Sequence, residues 1–419
     1  MAGTPSAFAA ELPADVAVLV EQLGSKDYKL REQAYARLNA RGPADLPALK
    51  VALVATASPE VHRRLETLID KQRMEQLVSA SRVTLSARNQ PMKEVLADIC
   101  RQAGYTLSEG VGDNAKVTIE LKNVPFWEAV EKVTAGSGVT TTFQDDDRMQ
   151  LNAYFGNQAN PHVDTAGPFR FVASNINSSR NIQLGNIPLR GDFRQQGEYL
   201  NLNVMLHAEP KSPVVSVGTA CIVEAVDDLG GSLAPRKPDG LHLPETRFYN
   251  GGMYRSLNQS FSVNLARGDR RATSIKELAG KVNLLLLQET RAEMEIDRVL
   301  DPGKKMGQTA EVEFEVAEFA EANGGYAATL ILKPRGKRAQ DYGWWGNVYQ
   351  RLELHDVTGR KFLPNGIHEQ TVANDKVTMK MSFIPPDGKV LGKPRKLVLM
   401  EWITVEKEFE FKFKNVPLP

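Results

Sequence analysis

The sequence predicts a multidomain α+β and all-β protein: a short helical N-terminal segment, a duplicated β-α-β module, then two antiparallel β-sandwich-like domains. Three observations carry this reading. Apolar residues before position 80 recur at the spacing that lines one helix face, a segment between 82 and 143 is repeated 34 residues later, and short apolar alternations punctuated by Gly, Pro, Asn and Asp dominate from Phe169 onward. A chain of 419 residues exceeds what one core usually accommodates, and it divides here as 1–80, 81–149, 150–300 and 301–419.

In the first segment, Val16, Leu19, Val20 and Leu23 suggest a helix, and Leu30, Ala34 and Leu38 form the stripe of a second, stopped by Gly42-Pro43. Leu46, Leu49, Leu53 and Val54 mark a third. Ser58-Pro59 places a capping hydroxyl before a proline tolerated at the first helical position, and Val61, Leu65, Leu68 and Ile69 continue the stripe. The text LGSKDYKLREQAYARLNARGPADLPALKVAL, Leu23–Leu53, resembles a single HEAT-like unit. A solenoid needs at least about three such repeats, so the expected arrangement is a short helical cap packed on its neighbour.

The repeat aligns VTLSARNQPMKEVLADICRQAGYTL from Val83 with VTIELKNVPFWEAVEKVTAGSGVTT from Val117 without a gap. Val83/Val117, Thr84/Thr118, Asn89/Asn123, Pro91/Pro125, Glu94/Glu128 and Gly104/Gly138 match at the constant spacing. Each copy reads as a strand, a turn at Asn, a helix opened by Pro, and a further strand after Gly, which predicts two β-α-β units on one compact sheet. The pattern of strand, N-x-P-hydrophobic-x-E, helix, Gly and strand resembles the small N-terminal domain of bacterial secretins and TonB-dependent receptors. That resemblance implies a periplasmic protein-interaction or assembly domain without catalytic residues. It places the chain in a bacterial envelope, in the periplasm if a targeting peptide has been removed and in the cytoplasm otherwise, with a protein partner.

In the second half, Phe169/Phe171, Leu200/Leu202/Val204/Leu206 and Phe261/Val263/Leu265 alternate as strands do. Val282–Ile296 reads as two strands or one long bent strand. Val312/Phe314/Val316, Leu352/Leu354, Val377/Met379/Met381/Phe383 and Phe409/Phe411/Phe413 repeat the theme. Aligning the halves pairs IVEAVDDLGGSLAP from Ile222 with RLELHDVTGRKFLP from Arg351, the Leu-rich run near Leu285 with Leu397, and Glu293 with Glu408. Asp301-Pro302-Gly303 is the expected turn between two sandwiches. The closing EFEFKFKNVPLP is read as an ordinary sandwich strand, with strand addition to a partner as its alternative.

Chemistry is sparse. Cys100 and Cys221 read as two buried thiols, and His62, His162, His207, His242, His355 and His368 form no H-E-x-x-H or close metal pair, so no metal, cofactor or catalytic residue is assigned. Asp145-Asp146-Asp147 lacks the ladder of a calcium loop, and Asp356 reads as hairpin punctuation. Gly110-Val111-Gly112 lacks nucleotide-binding spacing, and no G-x-S-x-G elbow is present. The 52 Lys and Arg against 51 Asp and Glu give a formal charge of +1, so Lys333–Arg338 and Lys389–Lys396 read as solvated loops and nucleic acid is not an expected partner. No apolar run spans a membrane.

Aromatic residues supply the candidate contacts: Tyr342, Trp344, Trp345 and Tyr349 in one glycine-rich segment, and, more weakly, Phe248, Tyr249 and Tyr254 in another. The leading expectation is a non-enzymatic protein-interaction or structural assembly factor. A carbohydrate-binding envelope protein and a glycan-active hydrolase are the alternatives.

Overall fold

The structure is a computed structural model that describes residues 13–108, 115–143, 148–153, 160–181, 197–235, 254–322, 324–336, 345–373, 375–386 and 389–419. It has a helical N-terminal region followed by large antiparallel and mixed β-sheets. Among the described residues, no helix is long and apolar enough to cross a membrane.

Helices α1 (Ala14–Leu23), α2 (Tyr28–Arg41), α3 (Leu46–Ala55) and α4 (Pro59–Val78) enclose one small core of Val16, Leu19, Leu38, Leu49, Leu65 and Leu68. The Asp27 carboxylate accepts from Lys29 N and caps α2, and the Ser58 hydroxyl accepts from Val61 N and caps α4. Val54 was expected on the α3 stripe but is 89% exposed, because the helical period turns Leu46, Leu49 and Ala52 inward instead.

The repeated module contains β1 (Arg82–Pro91), α5 (Met92–Ala103), β2 (Thr106–Leu107), β3 (Lys116–Pro125), α6 (Phe126–Thr134), β4 (Val139–Phe143) and β5 (Arg148–Ala153). The copies share backbone conformation and hydrogen bonds at their strand-to-helix junctions. Asn89 and Asn123 take φ of 51° and 53°, a left-handed conformation asparagine tolerates, and swing each strand into its helix. Thr118 Oγ1 accepts from Asn89 N, and Thr84 Oγ1 accepts from Asn123 N. Met92 N donates to Ala115 O while Phe126 N donates to Ser81 O, both at 2.8 Å.

The expected single sheet is not what forms. Among the described residues β1 pairs only with β3 in an antiparallel ribbon, whereas β2 and β4 both pair with β5, a strand outside the repeat that takes up their hydrogen bonds.

The second half contains β6 (Val163–Ala166), β7 (Phe169–Asn181), β8 (Gly197–Ala208), β9 (Val214–Val217), β10 (Cys221–Asp227), β11 (Asn258–Ala266) and β12 (Ser274–Asp297). It continues with β13 (Lys305–Gln308), β14 (Val312–Ala322), β15 (Gly325–Pro334), α7 (Val348–Arg351), β16 (Leu352–Asp356), β17 (Lys361–Ala373), β18 (Lys376–Ile384) and β19 (Pro394–Pro417). The order β11-β8-β7-β6 recurs as β18-β15-β14-β13. The register recurs too: Phe171 lies opposite Leu206 and Phe314 opposite Leu332, with a bulge after Ala173 and after Val316.

Asp227 and Asp356 are the matching hairpin residues, each buried and each accepting from the backbone two and four residues on. Asp356 also holds Gly392 N at 2.8 Å and the Arg360 guanidinium, whereas Gly231 stands where Arg360 would. Asp356→Asn is therefore expected to lower the unfolding midpoint more than Asp227→Asn, which comparative urea denaturation would measure.

The second alignment needed correction. Leu397 corresponds to Leu278 rather than to the run near Leu285, since these two residues face Leu354 and Ala225 at equivalent places. Val282–Ile296 belongs to a single 24-residue strand, β12, paired with β19 from Ser274↔Pro417 to Asp297↔Lys396. These two strands cross between the cores. The first core takes Ile275–Leu286 of β12 with Phe411, Phe413 and Val416 of β19; the second takes Met294 and Ile296 with Leu397 and Leu399. The chain passes the expected turn at Asp301-Pro302-Gly303, but each half completes the other's sheet. Cys221, expected buried, is exposed on β10, whereas Cys100 is enclosed and its thiol is pushed up to about 12 by burial.

Candidate functional site

Of the aromatic candidates, Tyr342, Trp344, Phe248 and Tyr249 lie outside the described residues, as does the acidic run at 145–147. The structure brings the remaining three toward one place. Trp345 and Tyr349 pack half-buried against the second core, and Tyr254, 41% exposed, sets its ring centroid 6.0 Å from that of Tyr349. Next to them the Gln350 amide accepts from Arg255 N at 2.8 Å and donates to Arg255 O at 2.9 Å. Two segments far apart in sequence thus clasp the two β units to each other, with one tyrosine ring facing outward.

The repeated module presents a second feature, the β1–β3 ribbon. Its inner face buries Val83, Ala87 and Leu121 against the helices, and its outer face exposes Thr84, Ser86, Arg88, Thr118, Glu120 and Lys122. Among the described residues each strand pairs only with the other, which leaves two outer edges. The edges differ. On β1 the outward Thr84 N–H donates to the Gln102 side chain of α5 at 2.9 Å. The residue 34 positions after Gln102 is Gly136, which has no side chain to reach the matching Thr118. Thus, among the described residues, β1 is capped at Thr84 and β3 carries no such cap, a difference readable from the repeat only once the cap is seen.

Two buried polar clusters fasten this module to the first β unit. Sequence reasoning assigned no role to either. In the first, the fully buried Glu209 accepts from Ser81 N at 3.0 Å and from Tyr105 Oη at 2.9 Å, with Lys211 Nζ 3.5 Å away. Lys211 donates to Ser81 Oγ at 2.9 Å, and Ser212 Oγ donates to Leu77 O at 2.8 Å. Burial and the Glu209 charge push the Tyr105 phenol upward; burial pulls the Lys211 ammonium down against Glu209. The linker between α4 and β1 is held here, each polar group turned on another member.

In the second, Arg170 of β7 lies over the Trp127 ring of α6, 5.5 Å from its centroid, and donates to Thr141 O at 2.9 Å. Its Nε stands 2.7 Å from Glu131 Oε1 without the alignment of a hydrogen bond, so that contact is coulombic. His207 of β8 lies beside both. Asn258 Nδ2 donates to Phe143 O, which turns Asn258 Oδ1 toward His207 Nδ1 at 2.7 Å. Trp127 Nε1 donates to Pro168 O at 3.2 Å. The signal available in sequence was slight, an arginine and a histidine inside strands otherwise read as alternating.

No family model matches the chain, and no curated protein matches it. Among solved structures, the crystal structure of the conserved domain protein from Bacillus anthracis is similar over 61% of this chain and 91% of that one, at 10% identity and a TM-score of 0.13. A likeness that loose carries no argument about fold or function.

Proposed function

We propose that the chain is a non-enzymatic protein-interaction or structural assembly factor of a bacterial cell envelope, in which the repeated module receives a partner and the β-rich half acts as a spacer of two sandwich-like units. The observation that carries this reading is the β3 edge, which no strand or side chain covers among the described residues. An uncapped strand beside a polar outer face is a template for an added strand, with backbone hydrogen bonds giving affinity and alternate side chains giving specificity. The envelope setting draws on the sequence resemblance alone. The Tyr254 ring motivates the glycan-binding alternative, but most of the aromatic residues assigned to it lie outside the described residues. The glycan-active hydrolase has no supporting observation among them.

The two matching outer-edge positions are Ser86 on β1 and Glu120 on β3, and they make an internal control. A photocrosslinking residue at Lys122 of the full chain, expressed in envelope-bearing cells, is expected to yield a discrete protein adduct. Glu120→Pro removes one outward N–H of the open edge and should abolish that adduct, while Ser86→Pro on the capped edge should leave it. Equal loss in both variants, or no adduct in the unsubstituted chain, overturns the reading.

A further inference from the structure

We infer that His207 is an acid-sensitive latch: a proton on it in the closed seam would set a second cation beside Arg170, so acidification loosens the hold of the repeated module on the first β unit. The geometry leaves no gentle way to take up that proton. Because Asn258 Nδ2 is committed to Phe143 O, Asn258 Oδ1 accepts from His207 Nδ1, and the neutral ring carries its one hydrogen there. The added proton goes to Nε2, in a seam where His207 is 9% exposed and Arg170 7%. Arg170 on β7 is the cation that faces it, with Glu131 on α6 behind as counter-charge; Trp127 on α6, 6.3 Å between ring centroids, and Asn258 on β11 are its neutral contacts. Glu209, two residues along the same chain, is engaged with Ser81, Tyr105 and Lys211.

The direction of the effect follows from linkage. Burial first, and Arg170 second, lower the His207 pKa from 6.5 to about 4. The closed seam therefore excludes a proton that an open seam accepts. Its full hold is present above pH 6.5 and is lost as pH falls, by up to about tenfold per unit and at most about 300-fold, levelling off near pH 4. Glu131 acts in the opposite sense. Burial keeps its carboxyl above the ordinary range despite Arg170, so the closed seam gains a proton there on acidification and offsets part of the loss at the lowest pH.

Hydrogen exchange of the full chain between pH 7.5 and 4.5, corrected for intrinsic rates, tests this. Peptides from α6, β4 and β7 should open progressively more below pH 6.5, by up to tenfold per unit, while β14 and β15 stay level. His207→Gln, which keeps a donor for Asn258 and cannot be protonated, should flatten the seam's response. Equal slopes in both proteins, or simultaneous opening of β14 and β15, overturn the latch. Should that variant fail to fold, nuclear magnetic resonance of His207 in the unsubstituted chain decides, since titration near 6.5 would refute it.

Discussion

Replacing Gly280 by valine is expected to cost about 3 kcal/mol of stability or more, although valine is the better strand former. Gly280 lies on β12 opposite Phe411 of β19, and the Phe411 ring covers the bare backbone there. A Cβ at this position would meet Phe411 Cε2 at 2.9 Å and Cζ closer still. The ring has nowhere to retreat: it is fully buried, with Phe171, Phe261 and Phe413 centred 5.8, 5.5 and 5.7 Å away. Urea denaturation of Gly280→Val, Phe411→Leu and the double variant forms the test. The double variant should recover part of the loss, because the smaller side chain vacates the space the valine needs. A Gly280→Val protein as stable as the unsubstituted one would mean that β12 and β19 do not pack in this register.

Glu209→Ala is expected to cost about 3 to 5 kcal/mol, the range for breaking a buried charged pair by removing one member. Ser81 N and Tyr105 Oη would both lose their acceptor, and Lys211 its counter-charge. Glu209→Gln keeps an acceptor and should cost less. Adding Lys211→Met to Glu209→Ala should restore part of the stability by removing the stranded ammonium, and strict additivity of the two changes in equilibrium unfolding would rule out the coupling. Because the cluster ties the α4–β1 linker to the segment after β8, protection from proteolysis around Ser79–Arg82 should fall in parallel.

The four helices of the N-terminal segment followed from apolar stripes such as Leu30, Ala34 and Leu38, and the cap of α4 from Ser58, because helix period and capping are settled within a few residues; the Asp27 cap of α2 emerged only from the structure. The repeat was legible for a similar reason. Residues 34 apart that share a turn asparagine and a helix-opening proline adopt the same conformation, and Asn89/Asn123 do so to within a few degrees.

What stayed hidden was pairing. Strand text states which side chains alternate but not which strand lies alongside, so β5 could not be foreseen as the partner of β2 and β4, nor the crossing of β12 and β19 between two cores. The candidate site divides along the same line. Tyr254 and Tyr349 were visible as aromatic residues, but their meeting depends on a fold that joins segments 95 residues apart.

By itself the sequence determined the order of helical and β-rich regions, the 34-residue duplication, the turn asparagines and the near-neutral charge, all of them consequences of local stereochemistry and composition. Only the tertiary structure decided which edge of the ribbon is capped, where Glu209, Arg170 and His207 are enclosed, and which half of the chain completes each sheet. Those outcomes depend on contacts between residues far apart along the chain, where burial rather than local preference sets the energy.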